Sequence, residues 1–487
     1  MNITKNRIAL ESLAKLISQN SKALTINPNK TIYNNLIYSR LLAKFFTFCL
    51  LGMVLLTACK KEDDLIPSEG NANLNNTSLK AGALTYYIAP NGSDAANGDI
   101  THPFFTLNKA WTVVGAGDIV YMRGGTYRYT TQQVLRNKNG TSGNMINLWA
   151  YPGEIPVITK GTGYTYNTDY GYGCYLSGDY IYLKGLDISG FTQETPEVWS
   201  GIKMENINHC IIEQLNVHHN GHGIMLASNS NDNLILNCDS HHNSDPLSPS
   251  AYNNGDGLET PSIPYGNTNT IRGCRFYWNT DDGMDCWHNE GNLIIDNCWS
   301  FYNGYIPDTF TPTGGSDGDG NGFKLGSQVV DHSSEVLRTV TNCLTYRNRR
   351  EGFGIQEAKC RITIYNSTAY LNGSFGIVLV DGYVHTVRNC IAYGNGTYQG
   401  YISAVSTVDH NTFLYNGDAN TNYILADADF VTLDPTGIDG VRQSDGSLPA
   451  LTFLHLATGS DLIDKGIYVG LPYNGTAPDL GAFEYTP

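Results

Sequence analysis

The sequence predicts an all-β solenoid, a parallel β-helix, on three observations. A coarse repeat with a base period in the low twenties runs through the middle of the 487-residue chain. Asparagine, glycine and aromatic residues recur at fixed offsets within that repeat. With 52 Gly, 32 Tyr and only 15% charged residues, the composition suits many short strands and tight turns better than long helices. Nothing after residue 60 shows sustained helical periodicity.

At the N-terminus, Arg40 and Lys44 precede an apolar run from Phe45 to Leu56 that ends in Leu56-Thr57-Ala58-Cys59. About a dozen apolar residues are too few to span a bilayer. The pattern resembles a bacterial lipoprotein signal, which implies lipidation of Cys59, export and an outer-membrane anchor. Lys60, Lys61, Glu62, Asp63 and Asp64 follow; acids just after the lipidated Cys resemble a cell-surface export signal. Residues 60–83 read as a flexible tether. Removing residues 1–59 takes away seven basic residues (Lys5, Arg7, Lys15, Lys22, Lys30, Arg40 and Lys44) and one acidic residue, Glu11. The mature chain then holds 23 basic and 44 acidic residues, a formal charge of −21. Such a field argues against nucleic acid as a partner and repels a polyanion unless a bound cation reverses the local sign. The chain is expected to be a monomer that meets the membrane through its lipid anchor alone.

The solenoid is expected over residues 84–430. Tyr86–Pro90, Ile119–Met122 and Ile181–Leu183 read as its first, weaker strands. From there the register is explicit. Leu215, Cys238, Cys274, Cys298, Cys343, Ser367, Cys390 and Asn411 form a column spaced by 23, 36, 24, 45, 24, 23 and 21 residues. Five residues after each comes Asn220, Asn243, Asn279, Asn303, Asn348, Asn372, Asn395 or Asn416. Three residues after each stands His218, His241, Tyr277, Phe301, Tyr346, Tyr370, Tyr393 or Leu414, mostly aromatic. A leucine-rich repeat has this period but would show a leucine pattern, which is absent. In a parallel β-helix, coils stack at about 4.8 Å, so equal positions become ladders. The asparagines should form an amide ladder inside a bend, and the cysteines a buried stack of small residues rather than disulfides. His218 and His241 are read as stacked rings, not metal ligands. Residues 431–487, with Ala477-Pro478-Asp479-Leu480-Gly481, are expected to cap the end of the helix.

A second alignment sets Gly223, Gly257, Gly283, Gly322 and Gly352 in register. An apolar residue follows each (Ile224, Leu258, Met284, Phe323, Phe353), as an inward strand position requires. Two residues after the glycines comes the outward column Met225, Glu259, Asp285, Lys324, Gly354. Just before them stand His222, Asp256, Asp282, Asn321 and Glu351, with Asp281 beside Asp282. Asp256, Asp281, Asp282 and Asp285 therefore converge within two coils, and four like charges so close are costly without a cation. Oxygen-only ligands favour calcium over zinc, which prefers His or Cys. Lys324, one coil on, would have a lowered pKa beside that cation and could act as a base.

Asp256, the Asp-Asp-Gly-x-Asp run at 281–285 and Gly322-Phe323-Lys324 resemble polysaccharide lyase family 9, calcium-dependent pectate lyases on a right-handed parallel β-helix. The resemblance spans most of the chain from about Leu84. It implies that Asp256, Asp281, Asp282 and Asp285 hold calcium and that Lys324 is the base of a β-elimination on a uronate polymer. The polymer is polygalacturonate or rhamnogalacturonan, since the family contains lyases for both and the motif does not separate them. Arg347, Arg349 and Arg350, one coil beyond Lys324, are candidates to grip neighbouring carboxylates. Two other classes stay open. A pectic hydrolase could use Asp281 and Asp282 as its carboxylate pair, which leaves the lysine unexplained. A non-catalytic surface adhesin would use the calcium only to stabilise the solenoid.

Overall fold

The computed structural model describes residues 82–165, 171–196, 199–313 and 320–486. The lipidation site at Cys59 and nearly all of the expected tether lie outside these residues. Among the described residues, parallel strands assemble three long sheets of 12, 10 and 10 strands. The first sheet runs from Thr85–Ile88 to Thr407–Asp409, the second from Gly125–Thr131 to Ile391–Tyr393, and the third from Gln133–Leu135 to Tyr398–Ile402. Each coil gives one strand to each sheet in turn, as Thr268–Arg272, Arg275–Tyr277 and Met284–Asp285 do. This is the expected parallel β-helix.

Its interior is filled by the inward residue of every strand. Ile224, Leu258, Met284, Phe323 and Phe353 stack in one register and are completely buried. The chain turns from the first sheet to the second, and again to the third, through single left-handed residues such as Asn237, Asn297, His242 and Trp278. The amide ladder forms inside the second of these bends. From Asn220 to Asn395, each side-chain amide donates to the Oδ1 of the next asparagine at 2.9–3.3 Å. That Oδ1 also accepts the backbone N–H of the previous asparagine. The ladder satisfies backbone donors that a bend would otherwise bury unpaired.

All nine cysteines among the described residues are free and buried. The five in the expected column, Cys238, Cys274, Cys298, Cys343 and Cys390, include soft acceptors: Cys274 N–H meets Cys298 Sγ and Cys298 N–H meets Cys343 Sγ, both at 3.4 Å. Ser367 Oγ takes the N–H of Cys343 at 3.2 Å, which explains why serine serves in this column.

Three expectations are corrected. The eighth unit leaves the ladder: Asn395 is closed by Gln399 Oε1 at 3.0 Å, while Asn416 bonds Asp418 and Leu414 is exposed. The last strand ends at Asp409, well before residue 430. The tail does not close the solenoid end but runs along the outside of the second sheet. Phe430, Ile438, Leu448, Phe453 and Leu480 pack there against Tyr277, Phe301, Tyr346, Tyr370 and Ile391. Arg442 is fastened to Asp239 at 2.6 Å, and Ala482 N–H to Thr368 Oγ1 at 2.9 Å. The aromatic column is an apolar stripe, and the tail is what covers it. A short helix, Leu107–Val113, was not anticipated; Thr106 caps it, and Leu107, Ala110 and Trp111 are buried.

Candidate active site

The third sheet narrows to two-residue strands at Leu258–Glu259, Met284–Asp285, Phe323–Lys324 and Phe353–Gly354. Their register is the one expected: Met225 pairs with Glu259, Glu259 with Asp285, Asp285 with Lys324, and Lys324 with Gly354. Glycine precedes each strand because the next coil lies too close for a side chain. A Cβ on Gly283 would sit 2.6 Å from the carbonyl oxygen of Gly322.

The residues before these glycines form a relay along the helix axis. Asp256 Oδ1 accepts the N–H of Asp282 at 2.9 Å, Asp282 Oδ1 that of Asn321 at 2.7 Å, and Asn321 Oδ1 that of Glu351 at 3.2 Å. One oxygen of each aspartate is thus tied to the backbone, which orients the carboxylate. Asp256, Asp282 and Asp285 each offer an oxygen within 4.8 Å of the others, and all three are buried. The fourth expected ligand, Asp281, is also buried, but its Oδ1 is engaged by the Gly320 N–H at 3.4 Å. Lys324 Nζ stands 3.0 Å from Asp285 Oδ2 and 3.2 Å from Asp282 Oδ2, over the ring of Trp287 at 5.9 Å.

Burial first, then the charges of Asp281, Asp285 and Asp282, push the Asp256 carboxyl well above the usual range. Glu259, the column neighbour of Asp285, is raised to about 8, by burial and then by the Asp285 charge. Ionised together, these carboxylates would put more negative charge in a dry site than one lysine balances. Such a set of carboxylate oxygens suits a hard cation.

Of the three arginines, Arg347 occupies the left-handed bend position and lays its guanidinium over Phe310, 4.0 Å from the ring centre. Arg349 donates to the Thr313 carbonyl at 3.0 Å. Arg350 is half exposed beside Glu351, with Nε 3.7 Å from its carboxylate. Sequence reasoning placed Glu259 in the outward column but gave it no role. It likewise placed His222 ahead of Asp256 in the column before the glycines without giving it a role; its Nδ1 lies 2.8 Å from the Asn254 carbonyl and 3.9 Å from Asp256. Trp287 had no signal at all: it leaves its strand two residues after Asp285, where no period constrains it.

The family described as Pel9A-like, right handed beta helix region, matches residues 86–381. The chain is 29% identical to pectate lyase L of Dickeya chrysanthemi, over 82% of this chain and 90% of that one. It is 32% identical to pectate lyase L of Paenibacillus polymyxa, over 80% and 85%. Among solved structures it is similar to pectate lyase Pel9A, with 28% identity and a TM-score of 0.65, covering 84% of this chain and 98% of that one. A rhamnogalacturonan lyase structure is similar at 27% identity and a TM-score of 0.64, over 77% and 97%.

Proposed function

As a member of the Pel9A-like right-handed β-helix family, the chain is a polysaccharide lyase, and from that premise we propose that it is a calcium-dependent pectate lyase cleaving polygalacturonate by β-elimination. The observation that carries this reading is the position of Lys324, with Nζ 3.0 and 3.2 Å from two carboxylates of the acidic cluster and one coil beyond them. A base and a cation platform then share one face.

Asp256, Asp282 and Asp285 would hold calcium, with Asp281 completing the set, and the carboxylate-only donors fit it. When bound, calcium supplies positive charge that offsets the aspartates and the substrate's C6 carboxylate, which makes the proton on C5 more acidic. The remaining chemistry belongs to the chain. As Asp282 and Asp285 turn to another cation, Lys324 loses the partners that favour its ammonium form, and burial favours the neutral amine. Its lone pair takes the C5 proton. The C–H electron pair becomes the C4–C5 double bond as the C4–O bond breaks, and the leaving oxygen gains a proton from solvent. Arg350, half exposed on the coil beyond, would pair with a carboxylate of an adjoining sugar.

The similar rhamnogalacturonan lyase favours a second reading, the same elimination on a rhamnogalacturonan backbone. The test is incubation with each polymer, with calcium or with a chelator, while following the ultraviolet absorbance of the conjugated product. Absorbance should grow on polygalacturonate with calcium, and stop with chelator or in Lys324→Met. Growth on rhamnogalacturonan alone selects the second reading. New reducing ends without absorbance overturn both in favour of hydrolysis.

The Leu56-Thr57-Ala58-Cys59 run supports a lipid-anchored, cell-surface location. Cys59→Ala should move the protein from the membrane fraction to the soluble one; an unchanged fraction refutes the anchor.

A further inference from the structure

Away from the acidic cluster, two His-His pairs stand one coil apart at the bend that leaves the second sheet. His218 and His241 end the strands Asn216–His218 and Asp239–His241. His219 and His242, which follow them, are both left-handed at φ +54°. That turn swings neighbouring rings edge to face, 82° apart in both pairs, and brings their Nδ1 atoms to 2.7 Å. Stacking then joins the pairs: His218 lies on His241 at 4.9 Å and His219 on His242 at 5.0 Å.

The outer ring nitrogens fix where the protons are. The Asn216 amide nitrogen donates to Asp187 Oδ2 at 2.7 Å, so its Oδ1 is the atom facing His241 Nε2 at 3.0 Å. His241 Nε2 must therefore carry a proton. His242 Nε2 lies 3.2 Å from Asp308 Oδ1, a carboxylate that can only accept, so it carries one too. A neutral imidazole has one N–H. His241 and His242 therefore turn two Nδ1 lone pairs toward each other, with no proton between them. In the other pair His219 can donate from Nδ1 to His218, so no such conflict arises.

A proton held between the two Nδ1 atoms at 2.7 Å would relieve the conflict by charging one ring. A metal ion resolves it directly. Histidines that bind metal through one nitrogen almost always donate the other N–H to a carboxylate or carbonyl oxygen, and His241 and His242 both do.

We propose that His241 Nδ1 and His242 Nδ1 form a second metal site, for a borderline divalent cation of the zinc, copper or nickel class. Bonds of about 2.0–2.1 Å let two adjacent ligand positions span the 2.7 Å gap with a small opening of the rings. Imidazole donors select against calcium, so this site and the acidic cluster take different ions. Asp308 belongs to the insertion after Asn303, so a bound ion would fasten that loop to the coil through His242.

The test is copper titration of the untagged full chain, stripped with chelator and then kept in excess calcium to occupy the carboxylates, read by electron paramagnetic resonance. One equivalent should bind with hyperfine coupling to at least two nitrogens, and zinc should displace it. His241→Phe keeps a ring in a column that continues as Tyr277 and Phe301, and should bind at least tenfold more weakly with an unchanged melting temperature. If His241→Phe fails to fold, His242→Phe, at the bend, gives the same reading. Asp308→Asn should weaken binding by about tenfold. Wild-type binding no tighter than that of the folded Phe variant, or a spectrum with oxygen donors alone, overturns the site.

Discussion

Replacing Glu259 by glutamine should stabilise the calcium-free protein, by an amount that grows with pH. Glu259 lies between Met225 and Asp285 on the outward column, and in the fold its carboxyl is raised from 4.5 to about 8. A raised carboxyl keeps its proton in the folded state after the unfolded chain has released its own. Between pH 4.5 and 8 the folded state therefore binds more protons, and stability falls as pH rises through that window. At about 1.4 kcal/mol per pH unit, the loss reaches about 3 kcal/mol at pH 7 and about 5 kcal/mol at pH 8. Glutamine matches the protonated acid in size and has nothing to ionise, so it removes this slope. With about 2.1 cal/mol/K of unfolding entropy per residue over roughly 400 described residues, 3 kcal/mol is a gain of about 4 °C. Melting curves in chelator should show almost no difference at pH 4.5, about 4 °C at pH 7 and more at pH 8. Saturating calcium should shrink the gain, because the ion offsets the Asp285 charge that helps raise the carboxyl. An equal shift at every pH, or a loss at pH 7, would refute the account of this site as excess buried charge.

Other consequences concern the ion and the ladder. Asp285→Asn removes an oxygen of the three-carboxylate group, so calorimetry should show calcium binding weakened by roughly tenfold or more; unchanged affinity would move the ion elsewhere. Asn303→Ala strips the Asn279 N–H of its side-chain acceptor and the Phe276 carbonyl of its side-chain donor, while Asn348 Oδ1 keeps the backbone N–H of residue 303. At about 1–3 kcal/mol for each buried group left unsatisfied, denaturant unfolding should lose at least 2 kcal/mol, and a loss below 1 kcal/mol would contradict the ladder's structural role.

Much of this was legible because a coiled chain repeats its constraints. The step from Cys238 to Asn243 recurs since the bend needs one small inward residue and one amide at the same place on every coil. Once those were aligned, the pairing of Asp285 with Lys324 followed without knowing any distance. What stayed hidden had no period. Trp287 and the arginine contacts arise in loops of unequal length, where side-chain packing decides direction. The tail was misplaced because its apolar residues suit an end or a side equally well. Only the width of the aromatic stripe from Tyr277 to Ile391 makes the side the better cover. The histidines were read correctly as stacked rings, yet stacking hid their nitrogens, which depend on the left-handed bend and on Asn216 and Asp308.

The same bookkeeping of partners argues for order in how the acidic site works. Lys324 Nζ contacts Oδ2 of both Asp282 and Asp285, two of the three carboxylates that would hold the proposed cation. The other oxygen of Asp282 is fixed on Asn321 N–H, so that carboxylate cannot serve both cations from fresh oxygens. On the proposed reading, cation binding and release of Lys324 would be a single exchange, and the base would become available only when the charge that activates the substrate is present. Lys324→Met should therefore tighten calcium binding while abolishing elimination, since it removes a competitor for Asp282 and Asp285 along with the base. Calcium affinity lowered by Lys324→Met would show that lysine and ion occupy the carboxylates together, and the exchange would be wrong.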